Sequence, residues 1–395
     1  MKHNWEYKPI ADCFNYIKNG PNIKQSKEAC GYPITRIETL ANGVFNHNKV
    51  GYANIFELGK YEQNVLNNGD LLMSHINSKS YVGRTVVYYT KFDETIIHGM
   101  NLLRLIPTSE LLSKYFYYIS LTHYFKDRIA NIRKDSVNQS SFSISDLKKI
   151  PIPVPPMAVQ ERIVAELDKI NEVIEKCREL LRTLDSLAQS IFYDTFGDPI
   201  SNPKGWPCVE VNYFIESKNN IRRASKTYVS TEVISYVDIS SVDRVSNSIT
   251  NITKYSFGEA PSRAQQVIEY NDILISLVRP NLRNIAINHI HGNKIVASSG
   301  FCILRSNSKA VSEYLLFLCI SNSVTDYLCS KISGAAYPAI TEKDIRNMRV
   351  ALPPLTLQQQ FAAQIKAIEA EKARVEAMIA ELQTLLDARI DYWFN

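Results

Sequence analysis

About 200 residues separate two copies of one ordered series of motifs in this 395-residue chain. Trp5 matches Trp206. Asn68-Gly69-Asp70-Leu71-Leu72-Met73-Ser74 matches Tyr270-Asn271-Asp272-Ile273-Leu274-Ile275-Ser276, and Gly99-Met100-Asn101-Leu102-Leu103-Arg104 matches Gly300-Phe301-Cys302-Ile303-Leu304-Arg305. Ser113-Lys114-Tyr115-Phe116-Tyr117-Tyr118 matches Ser312-Glu313-Tyr314-Leu315-Leu316-Phe317. Last, Asp146-Leu147 opens a run to Pro155-Pro156 and Gln160, as Asp344-Ile345 opens one to Pro353-Pro354 and Gln358. The offset drifts from 201–202 to 198, as a few small deletions would make it do. A repeat of this length means two units with one frame. The blocks between anchors hardly match, so the two copies differ in their inserts.

Each copy reads as mixed α and β. Val86–Tyr89 and Ile273–Val278 are short, β-branched or aromatic runs bounded by turn residues, which predicts strands. Ser109–Ile132 and Ala310–Lys331 carry helical periodicity. Pro151–Pro156 cannot lie inside a helix and reads as an extended connector.

After each proline pair comes a long stretch without Gly or Pro. Ile163, Leu167, Ile170, Ile174, Cys177, Leu181, Leu184, Ala188 and Ile191 step alternately by four and three, a heptad seam. Shifted by 198, the seam becomes Phe361, Ile365, Ile368, Lys372, Val375, Ile379, Leu382, Leu386 and Arg389. Lys372 and Arg389 interrupt it. A helix of about 38 residues is roughly 57 Å long, and its apolar stripe needs a cover. The simplest cover is the other helix; the alternative is the helix's own globular block. Aromatic tips, Phe192-Tyr193 with Phe196 and Tyr392-Trp393-Phe394, end both helices and read equally as core plugs or as a docking surface.

Charge follows the same division. Residues 1–156 carry a net +6, 157–197 a net −3, 198–353 a net +4 and 354–395 a net −2. An attraction for phosphate therefore belongs to the globular blocks, not to the helices. Seven cysteines without C-x-x-C spacing argue against both a disulfide framework and a zinc site. The one close histidine pair, His289-Ile290-His291, has no further ligand beside it and reads as loop polarity. No apolar run approaches the ~18–20 residues that span a bilayer, and the first residues lack a secretory pattern, so a cytoplasmic protein is expected. Walker, G-x-G-x-x-G, G-x-S-x-G and H-E-x-x-H patterns are absent, as is the Asn/Asp-Pro-Pro-Tyr/Phe run of adenine methyltransferases. No catalytic residue, metal ligand or cofactor site is expected in this chain.

The candidates for DNA contact lie in the inserts. In the first copy they are Lys79 and Arg84 in 77–84, and Arg133, Lys134, Asn138 and Gln139 in 133–141. In the second they are Arg222, Arg223 and Lys226 in 221–226, Arg279, Asn281 and Arg283 in 279–284, and Tyr337 in 331–338. Arginine suits guanine edges and asparagine or glutamine suits adenine, while clustered cations suit phosphates. Taken singly, each basic residue also fits a solvated surface; the case is stronger for the loops as groups.

Two features, each present twice, resemble the specificity (S, HsdS) subunit of type I restriction–modification systems. One is the Asp-Leu/Ile-Leu-x-Ser strand with a basic loop and a Gly…Leu-Arg strand after it. The other is the Asp-Leu/Ile…Pro-Pro…Gln run that opens a long helix at Met157-Ala158-Val159-Gln160-Glu161-Arg162-Ile163 and Leu355-Thr356-Leu357-Gln358-Gln359-Gln360-Phe361. The second copy departs at Gln359-Gln360. The resemblance implies an α+β chain: two similar target-recognition domains, 1–156 and 198–354, separated by spacer helices, 157–197 and 355–395, that form an antiparallel coiled coil. It implies a non-catalytic subunit reading an asymmetric, bipartite double-stranded DNA site. Its helices would space the half-sites and dock two methyltransferase (M) subunits, with restriction (R) subunits joining them. S-adenosylmethionine, ATP and Mg are then expected on those partners and not here. The residues leave a second class open, a coiled-coil interaction scaffold without DNA sequence preference.

Overall fold

The computed structural model describes residues 5–26, 28–40, 43–91, 94–137, 139–292, 294–333 and 338–394. Two compact units result, Met1–Arg178 with Ala377–Asn395, and Glu179–Glu376. In the first, an antiparallel sheet runs in the order Phe14–Asn19, Leu102–Pro107, Leu71–Ser74, Thr85–Val87. Every residue of Leu71–Ser74 is buried, which is why Leu71-Leu72-Met73 is a continuous apolar run and not an alternation. In the second unit the equivalent strand, Ile273–Ser276, is also wholly buried, between Ile285–Ile287 and Phe301–Leu304.

The repeated motifs prove to be one set of clamps made twice. Arg104 binds Asp70 at 2.6 Å, both side chains nearly inaccessible, and Arg305 binds Asp272 with two 2.8 Å hydrogen bonds. The Tyr115 hydroxyl donates to the Pro153 carbonyl, and the Tyr314 hydroxyl to that of Ala351. Gln160 accepts from the Leu112 amide and donates to the Glu110 and Pro155 carbonyls. Gln358 does the same with Val311, Lys309 and Pro353. Each glutamine is fully buried and ties the start of a long helix to its recognition domain.

Each expected helical stretch is two helices, Ser113–Leu121 with His123–Ile132 and Ser312–Ile320 with Asn322–Ser330. The break falls at Thr122 and at Ser321. Each hydroxyl donates to a carbonyl of the preceding helix, Ile119 or Leu318, and accepts from an amide of the next, Phe125 or Val324. Such competition with the helical ladder ends one helix and caps another. The inserts diverge. The second unit builds a further four-stranded sheet, ordered Thr253–Ser256, Val233–Val237, Ile295–Ser298, Ala264–Val267. Between its first and third sheet strands the first unit has short pieces, such as Pro33–Ile34 paired with Gly51–Tyr52.

The two long helices are Met157–Phe196 and Leu355–Phe394. In the first unit Ile163, Leu167 and Ile174 share a core with Leu386 and Ile390. Glu166 receives hydrogen bonds from Arg389 and Trp393, and Cys177 lies against Met378. Partner numbers fall as the central helix advances, so these segments are antiparallel. The second unit repeats this, with Asp185 on Lys372 at 2.8 Å and the Phe192 and Phe196 rings 5.8 and 5.2 Å from Phe361. Both residues that break the seam thus meet a carboxylate of the facing helix. Burial pulls the Lys372 ammonium pKa down, but Asp185 and Glu369 outweigh it and leave the pKa above its ordinary value. The same cores also hold recognition-domain residues, Tyr115 in one and Tyr314 in the other. Each stripe is therefore covered by both candidates. Phe192, Phe196, Trp393 and Phe394 are buried and serve the core, whereas Tyr392 of the same tips is exposed.

One cluster has no counterpart in the second copy. His75 and His98 are buried, their Nδ1 atoms lack a hydrogen-bond partner, and burial lowers each pKa to about 4. The matching residues are Leu277 and Ser299. A histidine depressed below its unfolded value of about 6.5 gives full stability above that pH and loses it as pH falls toward the folded value. The first unit should therefore lose roughly 2–3 kcal/mol per histidine between pH 7 and about 4.5, while these groups leave the second unit unchanged. Urea unfolding followed by proteolysis of each unit checks this. Equal acid sensitivity in both units, or no flattening by His75→Leu, would refute it.

Candidate DNA interface

In the first unit, two loops that are far apart in sequence become one surface. Ser140–Ser141 pairs on one side with Ile76–Asn77 and on the other with Lys134–Asp135. This brings 77–84 against 133–141. Beside the strands is a cleft of about 720 Å³ lined by Lys79, Arg84, Lys126 and Arg133 above a floor that includes Val82, Phe125 and Ile129. The described residues that line it include no carboxylate. Asp135 stands just outside, 2.6 Å from Arg133 and 3.8 Å from Lys79. Hydrogen bonds from Arg133 and then Ser140 hold its carboxyl below the usual range. The Arg84 guanidinium stacks 4.2 Å from the centre of the Tyr81 ring. Gly83 has φ +86°, and a Cβ there would come within 2.8 Å of Ile129, so only glycine lets this loop approach the helix. Lys134 and Gln139 are exposed, and Asn138 lies outside the described residues.

The second unit makes the same junction with different chemistry. Val278 bridges Ala339, the Arg279 amide donates to the Pro338 carbonyl, and Ala339 bridges Ser333. So 279–284 again meets the segment that precedes the proline run. Arg279 and Arg283 flank the turn Pro280–Leu282 with φ of +50° and +51°. Non-glycine residues in that region store strain of order 1 kcal/mol or more, and such strain concentrates at functional loops. Arg283 donates to Asn322 Oδ1 at 2.7 Å, while Arg279 and Asn281 are exposed. Arg222, Arg223 and Lys226 are exposed on a separate element. Arg223 bridges Gln266 at the edge of the additional sheet, and Arg222 lies 3.5 Å from Glu269. Tyr337 lies outside the described residues.

Sequence reading missed Lys126. Its signal was present: Lys126, Ile129 and Arg133 follow at helical spacing on His123–Ile132 and its C-cap, one face that ends in a residue already singled out. Among the described residues no group of His, Cys, Asp and Glu fit to hold a metal occurs. His289 and His291 instead flank Tyr270, with the His291 ring stacked 4.5 Å from it. No helix among the described residues is long and apolar enough to cross a membrane.

A duplicated α+β frame, with unlike basic loops at the same junction of each copy and two long helices, defines a protein with two recognition units. Residues 2–183 and 203–383 each match the type I restriction modification DNA specificity domain. The chain belongs to that family and carries its domain twice. It is similar to the putative type I restriction enzyme MjaX specificity subunit of Methanocaldococcus jannaschii, 28% identical over 409 residues that cover 98% of this chain and 93% of the relative. Its fold is similar to the crystal structure of the type I restriction–modification system S subunit from M. genitalium, with TM-score 0.52, 15% identity and coverage of 100% and 97%. A chain from work on complex assembly and conformational transition of the type I system gives TM-score 0.55, 16% identity and coverage of 99% and 97%.

Proposed function

We propose that the chain is the non-catalytic DNA-reading subunit of a type I restriction–modification complex, each recognition domain reading half of an asymmetric bipartite site. The observation that carries this reading is divergence at one fixed place. In both copies the loop after the Asp…Ser strand joins the segment before the proline run, and the residues presented there differ. A shared frame with unlike contact loops suits two unlike half-sites. Arg279, Asn281 and Arg283 are residue types suited to base edges. Lys79, Arg84, Arg133 and Lys134, together with Asn138 and Gln139, would follow the phosphates and bases of the other half. Arg222, Arg223 and Lys226 suit phosphates, and Tyr337 would complete the second loop cluster.

The helices would set the spacing of the half-sites and dock two methyltransferase subunits. Half-exposed apolar residues at heptad spacing support the docking: Val173, Leu180 and Leu187 on one helix, and Met378, Leu385 and Tyr392 on the other. Methyl transfer from S-adenosylmethionine, and the ATP- and Mg-dependent work of restriction subunits, would belong to those partners.

Selection of bound sequences from random DNA by the chain in complex with its methyltransferase tests the reading. It should return one bipartite sequence, with affinity falling steeply as salt rises. Replacing 70–140 by the segment of another family member should change one half-site only. Binding without sequence preference, or preference unaffected by the exchange, would favour the interaction scaffold.

A further inference from the structure

Val137 is the most exposed large hydrophobic side chain among the described residues, at 101% of its reference area. It sits at the turn of a ribbon formed by Lys134–Asp135 and Ser140–Ser141, two strands of a three-stranded sheet. The Ser136 amide and hydroxyl both donate to the Gln139 carbonyl, at 2.8 and 2.6 Å, and close the turn from within. Ser140–Ser141, the middle strand, pairs along its length on the other side with Ile76–Asn77, and the Phe142 amide donates to the His75 carbonyl. Folding therefore holds the turn in place but does nothing with the valine.

Its surroundings point to a ligand surface. Arg133 and Lys79 of the cationic cleft adjoin the ribbon through Asp135, and Lys134 is exposed on its first arm. A small β-sheet can present such a ribbon to the major groove. With cations along the phosphates, its turn would be the part that reaches the bases. An isopropyl group cannot serve a phosphate or a hydrogen-bonding base edge. The apolar group that base pairs present in that groove is the thymine C5-methyl.

Resting on the DNA-reading function proposed above, we infer that Val137 reads a thymine methyl in the half-site of the first recognition domain. The gain comes from burying two small apolar groups against each other, so its loss should weaken binding about fourfold, the equivalent of one methyl group.

The test uses the assembled complex with its methyltransferase and the sequence that the complex selects. Each thymine of the site is replaced in turn by deoxyuridine, which lacks only the methyl. For the unaltered chain, one replacement in the first domain's half-site should lower affinity about fourfold. Val137→Ala, which keeps only the Cβ methyl, should narrow the difference between thymine and deoxyuridine at that position, with its other preferences intact. The variant removes no packing contact, so folding is not at issue. A deoxyuridine penalty unchanged in Val137→Ala, or a half-site in which no thymine matters, overturns the inference and leaves DNA reading standing. So does a variant that reads DNA normally but assembles poorly with the methyltransferase, because Val137 would then be a protein contact. Failure to select any sequence overturns the DNA reading itself.

Discussion

Replacing Asp70 with alanine should destabilise the first recognition domain by about 3–5 kcal/mol, the effect of leaving a buried charge without its partner. The Arg104 side chain is only 3% exposed and its Nε already lacks a partner. Without Asp70, the hydrogen bond from Nη1 to the Gln63 carbonyl at 3.0 Å is the chief remaining contact of its guanidinium. A whole domain is stable by only about 5–15 kcal/mol, so much of the domain's margin disappears. Asp272→Ala should act more mildly, since Arg305 is 20% exposed and keeps Glu269 at 3.1 Å. The double change Asp70→Ala with Arg104→Leu should recover most of the loss, because removing both charges removes the desolvation problem. Urea denaturation with proteolysis of each unit separates these outcomes. If Asp70→Ala shifts stability by less than about 1 kcal/mol, or the double variant is no better than the single, the pair is not the clamp described here.

The same pair shows how far the sequence carries the argument. Asp70 and Arg104 stand inside two of the repeated anchors, as do Asp272 and Arg305, so their importance was visible. That they bind each other was not, because nothing in either motif says where a strand's neighbour lies. Lys372 and Arg389 looked like defects in a seam while only one helix was in view. Asp185 and Glu166 on the facing segments account for both. The glutamines after the proline pairs also looked like spacing marks until burial showed three hydrogen bonds on each.

The inserts were least legible. The additional sheet of the second unit mixes parallel and antiparallel pairs from distant segments, and strands such as Thr253–Ser256 are polar and partly exposed. Such strands carry no period to read. Arg279 and Arg283 stand out in the sequence by their charge; their left-handed backbone leaves no sign there, since glycine or asparagine is the usual mark of it. The recognition frame is written in periodic apolar residues, whereas the contact loops are held by local hydrogen bonds that leave no such trace.

Changing Leu180 and Leu187 to glutamate should leave the chain folded and reduce its affinity for methyltransferase subunits at least a hundredfold. Isolated exposed apolar residues need no explanation, but these form a series. Val173, Leu180 and Leu187 lie 42%, 42% and 46% exposed at intervals of seven, which places them along one face of a helix. Met378, Leu385 and Tyr392 are 49%, 47% and 39% exposed at the same interval on the other helix. Apart from Met378, which also lies against Cys177, these residues stand outside the helix seam, which Ile163, Leu167 and Ile174 fill against Leu386 and Ile390 in the first unit, and Phe192 and Phe196 against Phe361 in the second. A second stripe on a helix whose first stripe is already covered fits an additional helix from a partner. Each leucine has about half its surface left to bury, worth roughly 1 kcal/mol, and a glutamate carried into that contact adds a desolvation penalty of a few kcal/mol. Together they exceed the roughly 3 kcal/mol that a hundredfold loss represents. Sedimentation of co-expressed subunits measures assembly, and thermal unfolding of the isolated variant shows whether the chain itself is intact. Unimpaired assembly with the double variant would place the methyltransferase contact elsewhere. A lowered unfolding temperature for the variant alone would mean that the stripe serves the fold.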